Sequence, residues 1–276
     1  MEFVRPFDDA QAVDTGFPLY RAQFLSHMES ALLIASTIGE GGCGPSLHYH
    51  HSDQLYYLMR GSMTVQLGND THKITAGTLV YIPAGLAHCN WNDGPGAETH
   101  FEMIVPAPMP GTQIALLVDS PDDVPAGRRA TVPGYVQALD PKLFQEPIPG
   151  FRLQPLADAG TGAKGLSLNY AEVAPGAETP GTHVHDTDQY YLVLEGELTV
   201  EVALTTYTVG AESLVLLPAG VPHRQYNAGA VTEKHLALLA PAPAAGQPWD
   251  RGVTLSATGE THVGVSTGGT TEGAAR

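Results

Sequence analysis

The chain repeats itself at a fixed shift of 135 residues. PSLHYHHSDQLYYLMRGSMTV at 45–65 returns as GTHVHDTDQYYLVLEGELTV at 181–200. The shift carries His48 to His183, His50 to His185, Asp53 to Asp188, Gln54 to Gln189 and Gly61 to Gly196. It continues without a gap through Pro83/Pro218, Gly85/Gly220, His88/His223, Asn92/Asn227 and His100/His235, ending in Pro-Ala-Pro at 106–108 and 241–243. Chance does not hold such a register, so the chain is an internal duplication of two similar modules, each of ordinary domain size. The expected division is a first module over 1–110, a connector over 111–135, a second module over 136–250 and a tail over 251–276. The connector is rich in Pro and Gly and carries one apolar run, 114–118, that reads as a strand. The end of the tail, STGGTTEGAAR, has nothing to bury and is expected to be disordered.

Each module reads as all-β. Alternation is visible in Thr64-Val65-Gln66-Leu67 and in 197–202, and the apolar runs 79–82 and 214–217 end at Pro-Ala-Gly turns. The chain has 31 Gly and 22 Pro but only 15% charged residues, which favours short strands and turns over salt-bridged helices. A sandwich or barrel follows. The formal net charge of −16 argues against nucleic acid and anionic membrane as partners. Two cysteines, Cys43 and Cys89, cannot form a disulfide framework. The N-terminus lacks a signal peptide's apolar core, and no apolar run approaches the roughly 18 residues of a membrane span. The expected location is cytoplasmic.

Strand geometry turns the histidines into a site. Residues i and i+2 share a face, so His48 and His50 point together, as do His183 and His185, while His51 points away. A third histidine, His88 or His223, follows the Pro-x-Gly turn on another strand. Three neutral imidazoles converging from two strands suit Fe, Mn, Ni, Co, Cu or Zn without choosing among them. Gln54 or Gln189 is placed to add an amide oxygen as a fourth ligand, leaving positions open. Tyr56 or Tyr57, and Tyr190 or Tyr191, should face the same cavity; Asp53 and Asp188 should face out.

These residues resemble the two motifs of the cupin superfamily, and the whole chain resembles a bicupin: two tandem jelly-roll β-barrels. The first motif, G-x5-HxH-x3,4-E-x6-G, is nearly met by Gly42, His48, His50 and Gly61. The second, G-x5-PxG-x2-H-x3-N, is met in full at 77–92. In the second copy Ala177 replaces the leading Gly of the first motif and Glu212 that of the second. Both copies put Gln where most metal cupins have Glu. A decayed site is one reading of that change, but all three histidines survive in both copies. Three histidines and Gln leave a divalent ion at its full charge, and an amide cannot act as a base.

His100 and His235 each lie twelve residues after the third histidine of their copy. They are candidates for the missing catalytic base, or core histidines bonded to a neighbour; strand facing is not fixed by sequence alone. Three histidines, Gln and a further histidine resemble the small manganese cupins with hydroxynitrile lyase activity. The bicupin resemblance and an apolar cavity imply a metal-dependent, quercetinase-like dioxygenase cleaving an aromatic, enol or diketone substrate with O2. The alternative is an oxygen-independent lyase, isomerase or polyketide cyclase at the same centre. A binding or storage bicupin is a third reading, whose mark would be lost ligands. The resemblance also leaves a homodimer open.

Overall fold

The computed structural model describes residues 2–177, 179–244, 246, 249–255 and 261–263. It is all-β and built as two barrels, each from a large and a small antiparallel sheet. The large sheet of the first barrel has seven strands, ordered Tyr135–Ala138, Thr78–Ile82, Asp53–Arg60, Glu98–Val105, Leu32–Ile38, Tyr20–His27 and Val13–Asp14. Its small sheet has five: Leu116–Leu117, His48–Tyr49, His88–Trp91, Ser62–Leu67 and Asp70–Thr75. The second barrel repeats this with large-sheet strands Val4–Pro6, Ser213–Leu217, Asp188–Glu195, Glu233–Ala240, Ser167–Val173, Phe151–Ala157 and Gln145–Ile148. Its small sheet runs Thr205–Gly210, Glu197–Val202, His223–Tyr226, His183–Val184, Arg251–Leu255 and Thr261–Val263. Helix is confined, among the described residues, to three single-turn 3-10 segments, and none is long and apolar enough to cross a membrane.

The large sheets are buried on both faces, which explains their near-continuous apolar runs. Leu55, Tyr57, Phe101 and Met103 face Leu168, Tyr170, Leu192 and Leu236 in one core shared by the two barrels. The alternate residues of the same strands point inward. Tyr56 and Leu58 meet Met63 and Val65 inside the first barrel; Tyr191 and Val193 meet Leu198 and Val200 inside the second. Gly61 and Gly196 make the turn between the two sheets at φ +77° and +74°, where a Cβ would lie 2.9–3.0 Å from the backbone of Glu98 or Glu233.

The structure departs from the expected module boundaries. Strand Val4–Pro6, assigned with 1–110, pairs with Ser213–Leu217 of the second barrel. Strand Tyr135–Ala138 pairs with Thr78–Ile82 of the first. The two are equivalent, since Val4 faces Val215 as Val136 faces Val80, so the barrels exchange edge strands. The connector is not a spacer either: Leu116–Leu117 pairs with His48–Tyr49, and Arg251–Leu255, assigned to the tail, pairs with His183–Val184. The final Gly, Thr and Ala run expected to be disordered lies outside the described residues.

Candidate metal centres

Each barrel brings together one histidine triad: His48, His50 and His88 in the first, His183, His185 and His223 in the second. Their candidate ligand atoms lie within 4.8 Å of one another. The triads stand on the small sheets, where His48 pairs directly across from His88 and His183 from His223. Gln54 and Gln189 reach in from the large sheets opposite. All eight side chains belong to buried residues, and His51 is exposed, as the two-residue period required. Tyr56 and Tyr191 point inward while Tyr57 points into the core shared by the barrels. Asp53 and Asp188 each brace the Pro-Ala-Gly turn by accepting from the backbone N–H of Ala84 (2.9 Å) or Ala219 (2.8 Å).

Hydrogen bonding fixes which imidazole nitrogen is free. In the first triad the Nδ1–H groups donate to the carbonyls of Ser46, Ile114 and Leu86 at 2.7–2.9 Å. In the second they donate to Gly181, Trp249 and Val221, also at 2.7–2.9 Å. A carbonyl only accepts, so every Nδ1 carries the proton and every Nε2 presents a lone pair inward. Ile114 belongs to the connector, which thus orients the His50 ring as well as closing the sheet. Burial favours the neutral form: it pushes His48 down to about 4 and His223 down to about 3, aided by the neighbouring histidines. His88 is pushed well below the ordinary histidine value by the same two causes.

The donor sets fit a divalent metal ion. In the first barrel His50 Nε2, His88 Nε2 and Gln54 Oε1 are buried without a hydrogen-bond partner. In the second, Gln189 Oε1 lies 3.0 Å from His185 Nε2 and 2.8 Å from His223 Nε2, acceptor facing acceptor. Such contacts are repulsive as placed, and a shared cation would relieve them with the amide oxygen still facing the rings. Ligands at about 2.1 Å and right angles on one ion would lie about 3.0 Å apart.

His100 and His235 also face the barrel interiors. Each donates its Nδ1–H to the glutamate two residues earlier, His100 to Glu98 at 3.0 Å and His235 to Glu233 at 2.9–3.0 Å. His235 lines the second cavity, of about 190 Å³. His100 lies wholly buried against Tyr56, ring centroids 5.0 Å apart, and its Nε2 has no partner. Burial, the largest single influence, lowers its pKa, but the Glu98 and Glu102 carboxylates together outweigh it and leave the pKa raised.

The first cavity, about 370 Å³, is lined by Phe17, Tyr20, Phe24, Ile34 and Ile104 around the polar groups of His48, His50, Gln54 and one residue that sequence reasoning missed, Glu102. Gln54 Nε2 donates to Glu102 Oε1 at 2.5 Å, and the Tyr20 hydroxyl donates to Glu102 Oε2 at 3.2 Å. The signal was present in the repeat: Glu102 stands where the second copy has Ala237.

Two barrels with inward histidine triads define a double-barrel protein of the metal-binding cupin type. The chain belongs to the cupin family: the model described as "Cupin domain" matches residues 36–105 and 169–236. An uncharacterised protein of Streptomyces coelicolor is 33% identical over 49 residues, 18% of this chain and 47% of that protein, so the chain spans about half the length of the curated relative it matches. A Pseudomonas aeruginosa protein assigned as glyoxylate-induced has the same fold, with TM-score 0.68 at 16% identity over 88% of this chain and 91% of that one. A variant of Bacillus subtilis oxalate decarboxylase is similar at TM-score 0.66 and 16% identity, over 88% of this chain and 78% of that one. That decarboxylase has Mn(II) centres.

Proposed function

We propose that the protein is a metal-dependent enzyme that binds an enolisable, oxygen-donor substrate inside a barrel and moves a proton beside it, without using O2. The observation that carries this reading is the paired arrangement in both barrels: a neutral triad-plus-amide donor set and an inward imidazole backed by a buried carboxylate. A divalent ion held by the three histidines would act as a Lewis acid that steadies a developing enolate oxygen. The chain supplies the rest. Glu233 holds the His235 Nδ1 proton, which leaves Nε2 as the acceptor facing the second cavity. Glu98 likewise accepts the His100 Nδ1–H, although His100 is buried behind Tyr56 and does not line the first cavity. Apolar side chains of Phe17, Phe24 and Ile34 line the approach to the first triad, and Leu153 and Leu239 that to the second.

Neither donor set contains a carboxylate ligand, so the charge of a bound ion would be offset only indirectly, through Glu102 behind Gln54 in the first barrel, which favours Lewis-acid chemistry over metal-centred electron transfer. This ranks a lyase or isomerase ahead of the ring-cleaving dioxygenase. The apolar lining of the larger cavity favours the dioxygenase as the second reading. The test is turnover of enolisable carbonyl and cyanohydrin substrates by protein reloaded with Mn(II), Fe(II), Ni(II), Co(II), Cu(II) or Zn(II), in air and under argon. Equal rates under argon, lost in His100→Asn combined with His235→Asn, are expected. Stoichiometric O2 uptake with flavonol or diketone loss would establish the dioxygenase instead. No turnover by any loaded form would overturn the enzyme reading.

A further inference from the structure

The two centres share every ligand type, yet what stands behind the glutamine differs. In the first barrel a chain of polar side chains runs from Ser36 to the centre. The Ser36 and Tyr20 hydroxyls are 3.0 Å apart, Tyr20 donates to Glu102, and Glu102 accepts from the Gln54 amide nitrogen. A carboxylate only accepts, so it selects the NH2 end of the amide and turns Gln54 Oε1 toward the triad. That oxygen is buried and bonded to nothing else in the protein.

In the second barrel all three supports are gone together. The 135-residue shift puts Ala171 at the place of Ser36 and Ala237 at the place of Glu102. Strand register puts Phe151 at the place of Tyr20, since Tyr20 faces Ile38 as Phe151 faces Val173. Gln189 is held from the other end: the Tyr191 hydroxyl donates to its Oε1 at 2.9 Å. That bond occupies a lone pair of the very oxygen a metal ion would need, and no carboxylate stands at the place of Glu102.

We infer that Glu102 is a positioning residue that presets and polarises Gln54 as a fourth metal ligand, so that the first centre binds a divalent ion more tightly than the second. The inference rests on the reading that both triads hold metal. A hydrogen bond to an ionised acceptor is about twice as strong as a neutral one, and it draws negative charge onto the amide oxygen. The carboxylate absent from the donor set thus stands one residue behind it, within hydrogen-bond reach of the amide. Partners of this kind typically govern metal affinity by about 10- to 100-fold.

The test is a calorimetric titration of the metal-free full chain with Mn(II), with Mn(II) electron paramagnetic resonance on the same samples. Wild type should show two classes of site differing by about 10-fold or more. His48→Ala should delete the tighter class and His183→Ala the weaker. Glu102→Ala should weaken the tighter class by about 10- to 100-fold and leave the weaker one unmoved. Tyr20→Phe, which reproduces Phe151 and guards against a misfolded Glu102 variant, should weaken it by a smaller factor. Glu102→Gln, whose amide oxygen still accepts from Gln54, should restore part of the loss. Two equal sites in wild type, or a His48-dependent class unmoved by both Glu102→Ala and Tyr20→Phe, would overturn the inference and leave metal binding standing. No Mn(II) bound by any form would overturn both.

Discussion

The two barrels are near copies in backbone and differ in what fills them. Ring centroids of His48 and His50 are 4.8 Å apart, as are those of His183 and His185. His50 and His88 stand at 5.0 Å, as do His185 and His223. The first barrel nevertheless holds a cavity of about 370 Å³ with Glu102 behind its glutamine, whereas the second, of about 190 Å³, has Phe151, Ala171 and Ala237 at the places of Tyr20, Ser36 and Glu102 and carries its carboxylate, Asp250, beside His185 instead. After duplication, the residues that orient and charge a site can change while the residues that bind do not. The lesson is physical. Ligands are constrained by one another within a few ångströms, whereas a supporting residue need only meet one atom of one ligand.

The comparison is broken most directly by removing one centre at a time. His48→Ala and His183→Ala should each release one ion per chain and leave the other, measured as metal content of protein purified without chelators; loss of both ions from either variant would show that the barrels are not independent. The shared core predicts the opposite behaviour for stability. Leu55, fully buried between the barrels, should cost about 2–5 kcal/mol as Leu55→Ala and lower a single denaturation midpoint. Two separated transitions would mean that the barrels unfold alone.

Gly61→Ala and Gly196→Ala test the sameness of the frames. Both glycines have positive φ and the same close backbone neighbour, so each change should cost about 1–3 kcal/mol, and by similar amounts, in urea unfolding. Acid should act on both barrels in one direction. An unfolded histidine protonates near 6.5, whereas buried His48 waits until about 4 and His223 until about 3. Between those limits the unfolded chain binds more protons, so stability of the metal-free protein should fall as pH drops from 6.5 toward 4. Urea midpoints against pH should show that decline, flattened in His48→Ala; a flat profile in wild type would contradict the neutral triads. The smallest effect is expected at the Arg60–Glu212 ion pair, which bridges the barrels in partial contact with solvent. Arg60→Ala should cost less than about 1 kcal/mol.

Much of the site was legible before the fold was known. His48 and His50 are two residues apart, so a strand's two-residue period gives their common facing, while Gln54 follows after a bend and reaches in from the sheet opposite. The Pro-Ala-Gly turn placed His88 on a neighbouring strand, and the repeat made each assignment twice. Glu102 escaped because its partner Gln54 is 48 residues away, on an adjacent strand, and which diagonal neighbours meet depends on register. Its exchange for Ala237, and that of Ser36 for Ala171, follow the 135-residue shift, but the exchange of Tyr20 for Phe151 emerges only from strand register, and the three acquire meaning only through their contacts.

The sequence by itself determined that the chain is two copies of one all-β module, each with a histidine triad and a glutamine on inward faces. These features follow from local period and from repetition, which need no knowledge of distant partners. Only the tertiary structure decided that Val4–Pro6 and Tyr135–Ala138 cross to the opposite barrels, that the connector carbonyl of Ile114 orients His50, and that Glu102 turns Gln54. A strand edge accepts any antiparallel neighbour, and a hydrogen bond depends on distance in space, so neither is written in the order of residues along the chain.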